Sequence, residues 1–286
     1  MYISDLFKQK KTVFSIEVFP PKKVASPVDS MFEILTDMKG ISPDFISVTF
    51  GAGGSAAGDS TIRLASFIKN DLGVESLAHL TCVNSSKTEI GDTLERLVNE
   101  NIDNILALRG DINPDIPRKT DFLHASDLAA EIKSNGKFCV SGACYPELHP
   151  EAKSFEEDVE NLGKKIEAGV SQLVTQLFFD NNKFLSFRDL AAQKGISVPI
   201  QAGIMPIVNK RQVERTVSMT NASLPKKFVD FIEKYDEDKE GFFKAGIEYS
   251  INQIEELVDS GLSGIHIYAM NNSAVAKEIF EAVRKR

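Results

Sequence analysis

Short apolar runs, rich in β-branched and aromatic residues, alternate with longer polar segments along the whole chain. Eight of these runs predict strands, at residues 12–19, 45–50, 75–83, 104–110, 138–145, 172–179, 197–205 and 264–270. Apolar residues recur at helical spacing in the segments between them, which predicts a helix after each strand. The last gap, residues 206–263, is too long for one helix and predicts two or three. It includes a charged helical face from Asp230 to Glu240, which we interpret as solvated.

This alternation indicates parallel strands joined by crossover helices, the pattern of an α/β protein. Eight units in 286 residues predict a (β/α)8 TIM barrel, with residues 1–286 forming a single domain. A doubly wound dinucleotide fold competes, because Gly51–Ala56 matches the G-x-G-x-x-A pattern after a predicted strand. That fold needs an acidic residue at the end of the next strand, and Leu80–Asn84 has none. We therefore interpret residues 51–58 as a loop over the barrel mouth.

Composition excludes several classes of protein. The net charge of −8 argues against broad nucleic-acid binding, and no apolar run is long enough to span a membrane. The three cysteines form no C-x-x-C pair and the four histidines show no metal-ligand spacing, so we expect no metal site. The first residues contain no apolar signal-peptide core. We expect a cytoplasmic protein.

Glu17 interrupts the apolar run Thr12–Phe19, which ends at Pro20. Burying an unpaired carboxylate costs several kcal/mol, so a carboxyl group in such surroundings usually stays neutral and can donate a proton. The alternative is a structural ion pair between Glu17 and a buried Arg or Lys.

Other polar residues fall at or just after the ends of the predicted strands, where (β/α)8 barrels carry their active sites. They are Thr49, His79, Arg109, Asp111, Tyr145, Gln176, Asp180 and Tyr268. Asp180 is also expected to cap the helix that begins at Asn181. Asp158, Asn161 and Lys165 share one helix face. Lys165 and Arg109 are candidates to bind a phosphate, and Asp158 is a candidate to bind a ribose hydroxyl. The alternative is that these residues form an exposed salt-bridge face of the helix.

Several of these segments, taken together and in order, resemble the methylenetetrahydrofolate reductase family, and the match covers nearly the whole chain. The most specific segments are Phe14–Pro21, Ser47–Ala52, His79–Cys82, Ala107–Asp111, Tyr145–Ala152 and Thr175–Asp180. The resemblance is to the short bacterial form, and it implies a barrel that binds FAD non-covalently and uses NADH or NADPH.

The resemblance also implies roles for individual residues. Glu17 and Asp111 match the catalytic carboxylates, Glu17 being the general acid. FAD is expected to contact Thr49, His79, Leu108, Arg109, Gly110, Asp111, His124, Ala125, Ala143, Tyr145, His149, Asp158, Asn161, Lys164 and Lys165. The folate is expected to contact Glu17, Asp111, Gln176, Gln212 and Tyr268.

The implied reaction follows a ping-pong order, in which the flavin is reduced before folate binds. Protonation of folate N10 by Glu17 opens the five-membered ring to an iminium cation that accepts hydride, and Asp111 stabilises that charge. We expect a homo-oligomer with a small-molecule folate substrate.

Three positions depart from the family pattern. Thr216 stands where many members carry Phe, Asn272 where many carry Arg, and His124 where Tyr is commoner. Because of the departures at Thr216 and Asn272, a partner subunit is an alternative electron donor to NADH or NADPH. A non-enzymatic nucleotide-binding barrel is the alternative from another class.

Overall fold

A computed structural model describes residues 1–21, 28, 30–50, 55–112, 119–220 and 222–284. Eight parallel strands form a closed barrel in chain order, and the eighth pairs with the first. The strands are β1 (Val13–Val18), β2 (Phe45–Val48), β3 (Glu75–Thr81), β4 (Asn104–Leu108), β5 (Cys139–Cys144), β6 (Val170–Thr175), β7 (Ile200–Ile204) and β8 (Gly264–Ile267). The predicted (β/α)8 barrel is confirmed.

Helices surround the barrel and follow the strands. They are α1 (Ile3–Gln9), α2 (Ser30–Gly40), α3 (Ser55–Ser66, continued by a π-helical turn to Asp71), α4 (Lys87–Asn99), α5 (Ala125–Ser134), α6 (Phe155–Glu167), α7 (Asn181–Gln193), α8 (Lys210–Met219), α9 (Lys226–Lys234), α10 (Lys239–Asp259) and α11 (Ser273–Arg284). Asp180 caps α7 as predicted, since its Oδ1 accepts a hydrogen bond from the Asn182 backbone. The gap after β7 contains α8, α9 and α10, in agreement with the predicted two or three helices.

The sixth strand differs from its prediction. It was expected at residues 172–179, but it begins at Val170 and ends at Thr175. The apolar residues after it leave the sheet because they pack elsewhere. Phe178 stacks on Phe184 of α7 at 5.2 Å, and Phe179 stacks on Phe228 of α9 at 4.2 Å. Apolar character alone does not separate a buried strand from the packed turn that follows it.

Two further predictions need correction. The charged segment Asp230–Glu240 does not form one helical face, because α9 ends at Lys234 and α10 begins at Lys239. Asp238 caps α10 between them by accepting a hydrogen bond from the Gly241 N–H. Of the loop predicted at residues 51–58, residues 51–54 lie outside the described residues, and residues 55–58 belong to α3.

The barrel is closed at the end where the strands begin. Helix α1 lies across this end, and its Ile3 N–H donates a 2.8 Å hydrogen bond to Asn104 Oδ1 in β4. The apolar residues packed there are Ile3, Leu6, Val13, Phe45, Leu77 and Leu106. Inward-facing positions farther along the strands are polar, so the opposite end of the barrel is where ligands are able to enter.

Candidate active site

A cavity of about 1510 Å³ opens at the carboxyl ends of the strands. Its lining contains every residue expected to contact FAD or folate except Gln212: Glu17, Thr49, His79, Leu108, Arg109, Gly110, Asp111, His124, Ala125, Ala143, Tyr145, His149, Asp158, Asn161, Lys164, Lys165, Gln176 and Tyr268. Of the polar candidates at the strand ends, Asp180 is also outside this lining. Gln212 lies outside this lining, and its Oε1 accepts a 2.8 Å hydrogen bond from the Val208 N–H at the start of α8.

Glu17 lies on the inner face of β1, two residues after the inward-facing Ser15. Its Oε2 is 3.5 Å from His79 Nε2 and 3.5 Å from His266 Nε2. The side chain is 17% exposed at the cavity, so Glu17 is largely but not fully buried. The alternative of a buried Arg or Lys partner is also wrong, since the charged or titratable groups closest to the carboxylate, among described residues, are imidazoles.

His79 is buried on β3. Burial lowers the pKa of His79 to about 4, although the nearby Glu17 acts in the opposite direction. The imidazole is therefore neutral near pH 7, and Glu17 lies beside an uncharged, polar ring rather than a fixed cation.

The turn after β4 shapes one wall of the cavity. Gly110 has φ of +87°, and a Cβ there would lie 3.0 Å from Thr81 Cβ, so the turn packs closely against the end of β3. The preceding residue, Arg109, forms two hydrogen bonds with the Glu151 carboxylate, at 2.6 and 2.7 Å. This pairing raises the pKa of Arg109 and holds its guanidinium at the cavity rim.

Helix α6 contributes a second wall. Asp158 is buried, and its Oδ2 accepts a 2.8 Å hydrogen bond from the His149 N–H. The partly buried Lys165 donates from Nζ to the Ala143 carbonyl at 2.7 Å, and burial lowers the pKa of Lys165. Lys164 is exposed and donates to Asn161 Oδ1 at 2.8 Å. The alternative of an exposed salt-bridge face is therefore wrong, because Asp158 and Lys165 bond to the backbone of the cavity wall.

The remaining predicted substrate residues in the cavity are Tyr268, just after β8, and Gln176, just after β6. The Tyr268 hydroxyl donates a 2.6 Å hydrogen bond to the Thr175 carbonyl, and burial raises the pKa of Tyr268. Gln176 Oε1 accepts from the Leu177 N–H at 2.9 Å. Both residues line the cavity.

The positions that depart from the family pattern do not all face this cavity. Thr216 is buried in α8 and is absent from the lining. Asn272 is exposed, and its Oδ1 accepts a hydrogen bond from the Val275 N–H at the start of α11. His124 does line the cavity, at the start of α5.

Sequence analysis missed the polar residues beneath Glu17, which are Ser15, Gln201 and His266. Their signal was present, because alternation places Ser15 on the same face as Glu17, and His266 on the same face as Tyr268. It also missed Glu151, the partner of Arg109. No sequence signal identifies that pair, since it joins two loops.

Within the part of the chain that the structure describes, no group of acidic, His or Cys side chains is arranged to hold a metal ion. Likewise, none of the helices described is long and apolar enough to cross a membrane.

Comparison with known proteins agrees with this geometry. The methylenetetrahydrofolate reductase family profile matches residues 2–284. The 5,10-methylenetetrahydrofolate reductase of Pectobacterium carotovorum is 34% identical over 265 residues, covering 93% of this chain and 88% of the relative. The Escherichia coli enzyme is 33% identical with the same coverage. A Clostridium thermocellum protein, described as binding two copies of 5-methyl-5,6,7,8-tetrahydrofolic acid, shares the fold, with a TM-score of 0.71 at 16% identity and 98% coverage of both chains. The chain therefore belongs to the methylenetetrahydrofolate reductase family of oxidoreductases.

Proposed function

We propose that this protein reduces 5,10-methylenetetrahydrofolate to 5-methyltetrahydrofolate, with non-covalently bound FAD, NADH or NADPH as electron donor, and Glu17 as the general acid. The position of Glu17 carries the proposal. It is a carboxyl group on the inner face of the barrel, at the cavity, with imidazoles at 3.5 Å and no Arg or Lys among its described contacts.

The residues present fit FAD. Lys165 Nζ has three donors, and Ala143 O is its hydrogen-bond acceptor among described residues, so donors remain for a phosphate oxygen. Arg109 adds positive charge at the rim. The cavity of about 1510 Å³ exceeds the roughly 300–1,000 Å³ of a typical single-ligand pocket, which leaves room for a second ligand beside the cofactor.

FAD, when bound, would supply the two-electron centre that accepts hydride from the donor and returns it to folate. The residues of this chain provide the acid–base and electrostatic parts. Glu17 delivers a proton to N10 of the folate, which breaks the N10–methylene bond and leaves an iminium cation able to accept hydride. Asp111, exposed at the cavity rim, places a carboxylate near that developing positive charge.

A partner protein is the second candidate for the electron donor. Thr216 is the observation that favours it, because this small side chain is buried in α8 and presents no aromatic surface to the cavity. Anaerobic mixing with NADH or NADPH separates the two donors: rapid bleaching of the flavin supports the nicotinamide. Family membership favours an oxidoreductase over a non-enzymatic nucleotide-binding barrel.

The test of the proposal uses Glu17→Gln and measures the two half-reactions separately. We expect folate reduction to fall at least about 100-fold, the contribution of a general acid, while flavin reduction by the donor stays within a few-fold of the unmodified protein. Equal loss in both half-reactions would show that Glu17 is not the acid. A purified protein without flavin, or without folate reduction, would contradict the function itself.

A further inference from the structure

A line of polar side chains runs through the barrel interior to Glu17. It begins at Gln201 on β7, passes through Ser15 on β1, and reaches His266 on β8. These three residues are at most 1% exposed. Buried polar groups of this kind restrict each other's hydrogen-bond directions, so the position of each proton can be assigned along the line.

The direction is set at Gln201. The Ile265 carbonyl accepts and never donates, and it lies 3.4 Å from Gln201 Nε2, which fixes the orientation of the amide. The same Nε2 is 3.1 Å from Ser15 Oγ, so Ser15 accepts at this contact. The Ser15 hydroxyl proton then has two acceptors in reach: His266 Nδ1 at 2.7 Å and the Ile265 carbonyl at 3.3 Å.

The shorter contact is the normal length of a hydroxyl hydrogen bond, so Ser15 donates to His266 Nδ1. The reverse arrangement would need Ser15 to accept from His266 and to donate to the Ile265 carbonyl. Ser15 would then donate over 3.3 Å to a carbonyl that already accepts from Gln201 Nε2, instead of over 2.7 Å to the imidazole nitrogen. A neutral His266 that accepts at Nδ1 carries its proton on Nε2.

His266 Nε2 is 3.5 Å from Glu17 Oε2 and 3.5 Å from Ser47 Oγ, and both oxygens are able to accept its N–H. None of the other groups described around this carboxyl forms a hydrogen bond with its second oxygen, Oε1. His79 Nε2 is 3.5 Å from the same Oε2, and the Tyr268 hydroxyl is bonded to the Thr175 carbonyl. No described residue forms a hydrogen bond with Glu17 Oε1. An N–H directed at Oε2 therefore disfavours a proton on that oxygen and leaves it on Oε1.

We propose that Gln201 is a positioning residue for the acid. Acting through Ser15, it holds His266 in the Nε2–H tautomer, so that the transferable proton of Glu17 resides on Oε1. The inference rests on the proposed function of Glu17. In the opposite tautomer, His266 Nε2 would accept the Glu17 proton in a hydrogen bond, and the acid would be directed away from the substrate.

The barrel provides a matched control. Gln172 on β6 is also fully buried, and its Nε2 donates to Ser141 Oγ at 2.6 Å. Among the described residues, no hydrogen bond joins Gln172 to Ser15. Gln201→Met and Gln172→Met each replace a buried amide with an apolar side chain of similar length, so general loss of packing affects both variants. Ser15→Ala removes the hydroxyl group that links Gln201 to His266. It replaces Gln201→Met in the experiment if that variant does not fold.

The experiment combines two measurements on the flavin-loaded protein. Nitrogen-15 NMR of labelled histidine reports the tautomer of His266, assigned by the signals lost in His266→Asn. We expect Nε2–H in the unmodified protein and in Gln172→Met, and a mixture in Gln201→Met and Ser15→Ala. Folate reduction should slow about tenfold in Gln201→Met, or about 1.4 kcal/mol, with a displaced pH profile and unchanged flavin reduction.

An Nδ1–H tautomer in the unmodified protein would overturn the inference, as would equal tautomers and equal rates in the two Met variants. An unmodified protein that does not reduce folate would overturn the proposed function, and the positioning role with it. The NMR spectra would still decide the tautomer in that case, so the two failures are distinguishable.

Discussion

The Glu147 carboxylate accepts the backbone N–H of Ser223 with both of its oxygens, each at 3.1 Å. Glu147 lies between β5 and α6, in the segment that also carries His149 and Glu151. Ser223 lies between α8 and α9. This contact connects the proposed flavin side of the cavity mouth to the segment after α8. Helix α8 carries Gln212.

Replacing Glu147 with Ala should loosen the segment after α8. A hydrogen bond to a charged group contributes about 1.5–3 kcal/mol, so we expect amide exchange in residues 222–224 to accelerate by roughly tenfold or more. If this segment orders the folate side of the mouth, the KM for folate should rise while flavin affinity stays constant. Hydrogen-exchange mass spectrometry and steady-state kinetics measure the two effects.

Glu157→Ala is the matched control for that substitution. It removes the same charge, from a side chain that accepts the Lys153 N–H at 2.9 Å and forms no hydrogen bond with residues 222–224 within the described part of the chain. Equal exchange rates in the two variants would contradict a clamp between Glu147 and Ser223.

Lys165→Met should weaken flavin binding. The ammonium is partly buried in the cavity wall and has donors left for a phosphate, and a charged hydrogen bond of about 1.5–3 kcal/mol corresponds to a loss of roughly 10–150-fold in affinity. Titration of the apoprotein with FAD, followed by quenching of flavin fluorescence, measures it. Lys133→Met is the control, because this exposed lysine lies at the last turn of α5, at the opposite end of the barrel. Equal affinity in Lys165→Met and the unmodified protein would exclude a phosphate contact.

The fold was predictable because each strand is a compact apolar run and each connection is long enough for a helix. The error at β6 arose because Leu177, Phe178 and Phe179 extend the apolar run, although they pack in different clusters outside the sheet. The prediction for residues 51–58 failed in part because glycines favoured a loop where Ser55 begins a helix.

The site was only partly predictable. Residues at strand ends, such as Glu17 and His79, share the cavity because parallel strands bring their carboxyl ends together. The groups deeper in the barrel, Ser15, Gln201 and His266, were not predicted. In the sequence, Gln201 is a single polar residue within an apolar run. Its partners are determined by the relative heights of β7, β8 and β1, a property of the closed barrel that no local pattern contains.

Gly203→Ala should destabilise the protein and disturb Tyr268. A Cβ at this position of β7 would lie 2.5 Å from the Thr175 carbonyl oxygen and 2.6 Å from Tyr268 Cε2. These are the two partners of the 2.6 Å Tyr268–Thr175 hydrogen bond. Overpacking of a core costs about 1–3 kcal/mol, which urea unfolding can measure.

Gly163→Ala is the control for the glycine substitution. A Cβ there meets nothing within 4 Å in α6, so the change should raise stability by up to about 1 kcal/mol through helix propensity. Similar stability changes of the same sign in the two variants would contradict the assigned contacts of Gly203.

The burial of His79 predicts a specific pH dependence of stability. Its pKa in the folded protein is about 4, below the ordinary value of 6.5, so between these values the unfolded chain binds a proton that the folded protein excludes. Stability from this residue is complete above pH 6.5 and falls as the pH decreases toward 4. A difference of about 2.5 pH units corresponds to about 3 kcal/mol.

His79→Gln should therefore lose less stability than the unmodified protein between pH 6.5 and pH 4, as measured by urea unfolding followed by circular dichroism. His124→Gln, which removes an exposed histidine, is the control for the loss of an imidazole elsewhere in the chain. Parallel curves for His79→Gln and the unmodified protein would show that folding does not lower the pKa of this imidazole.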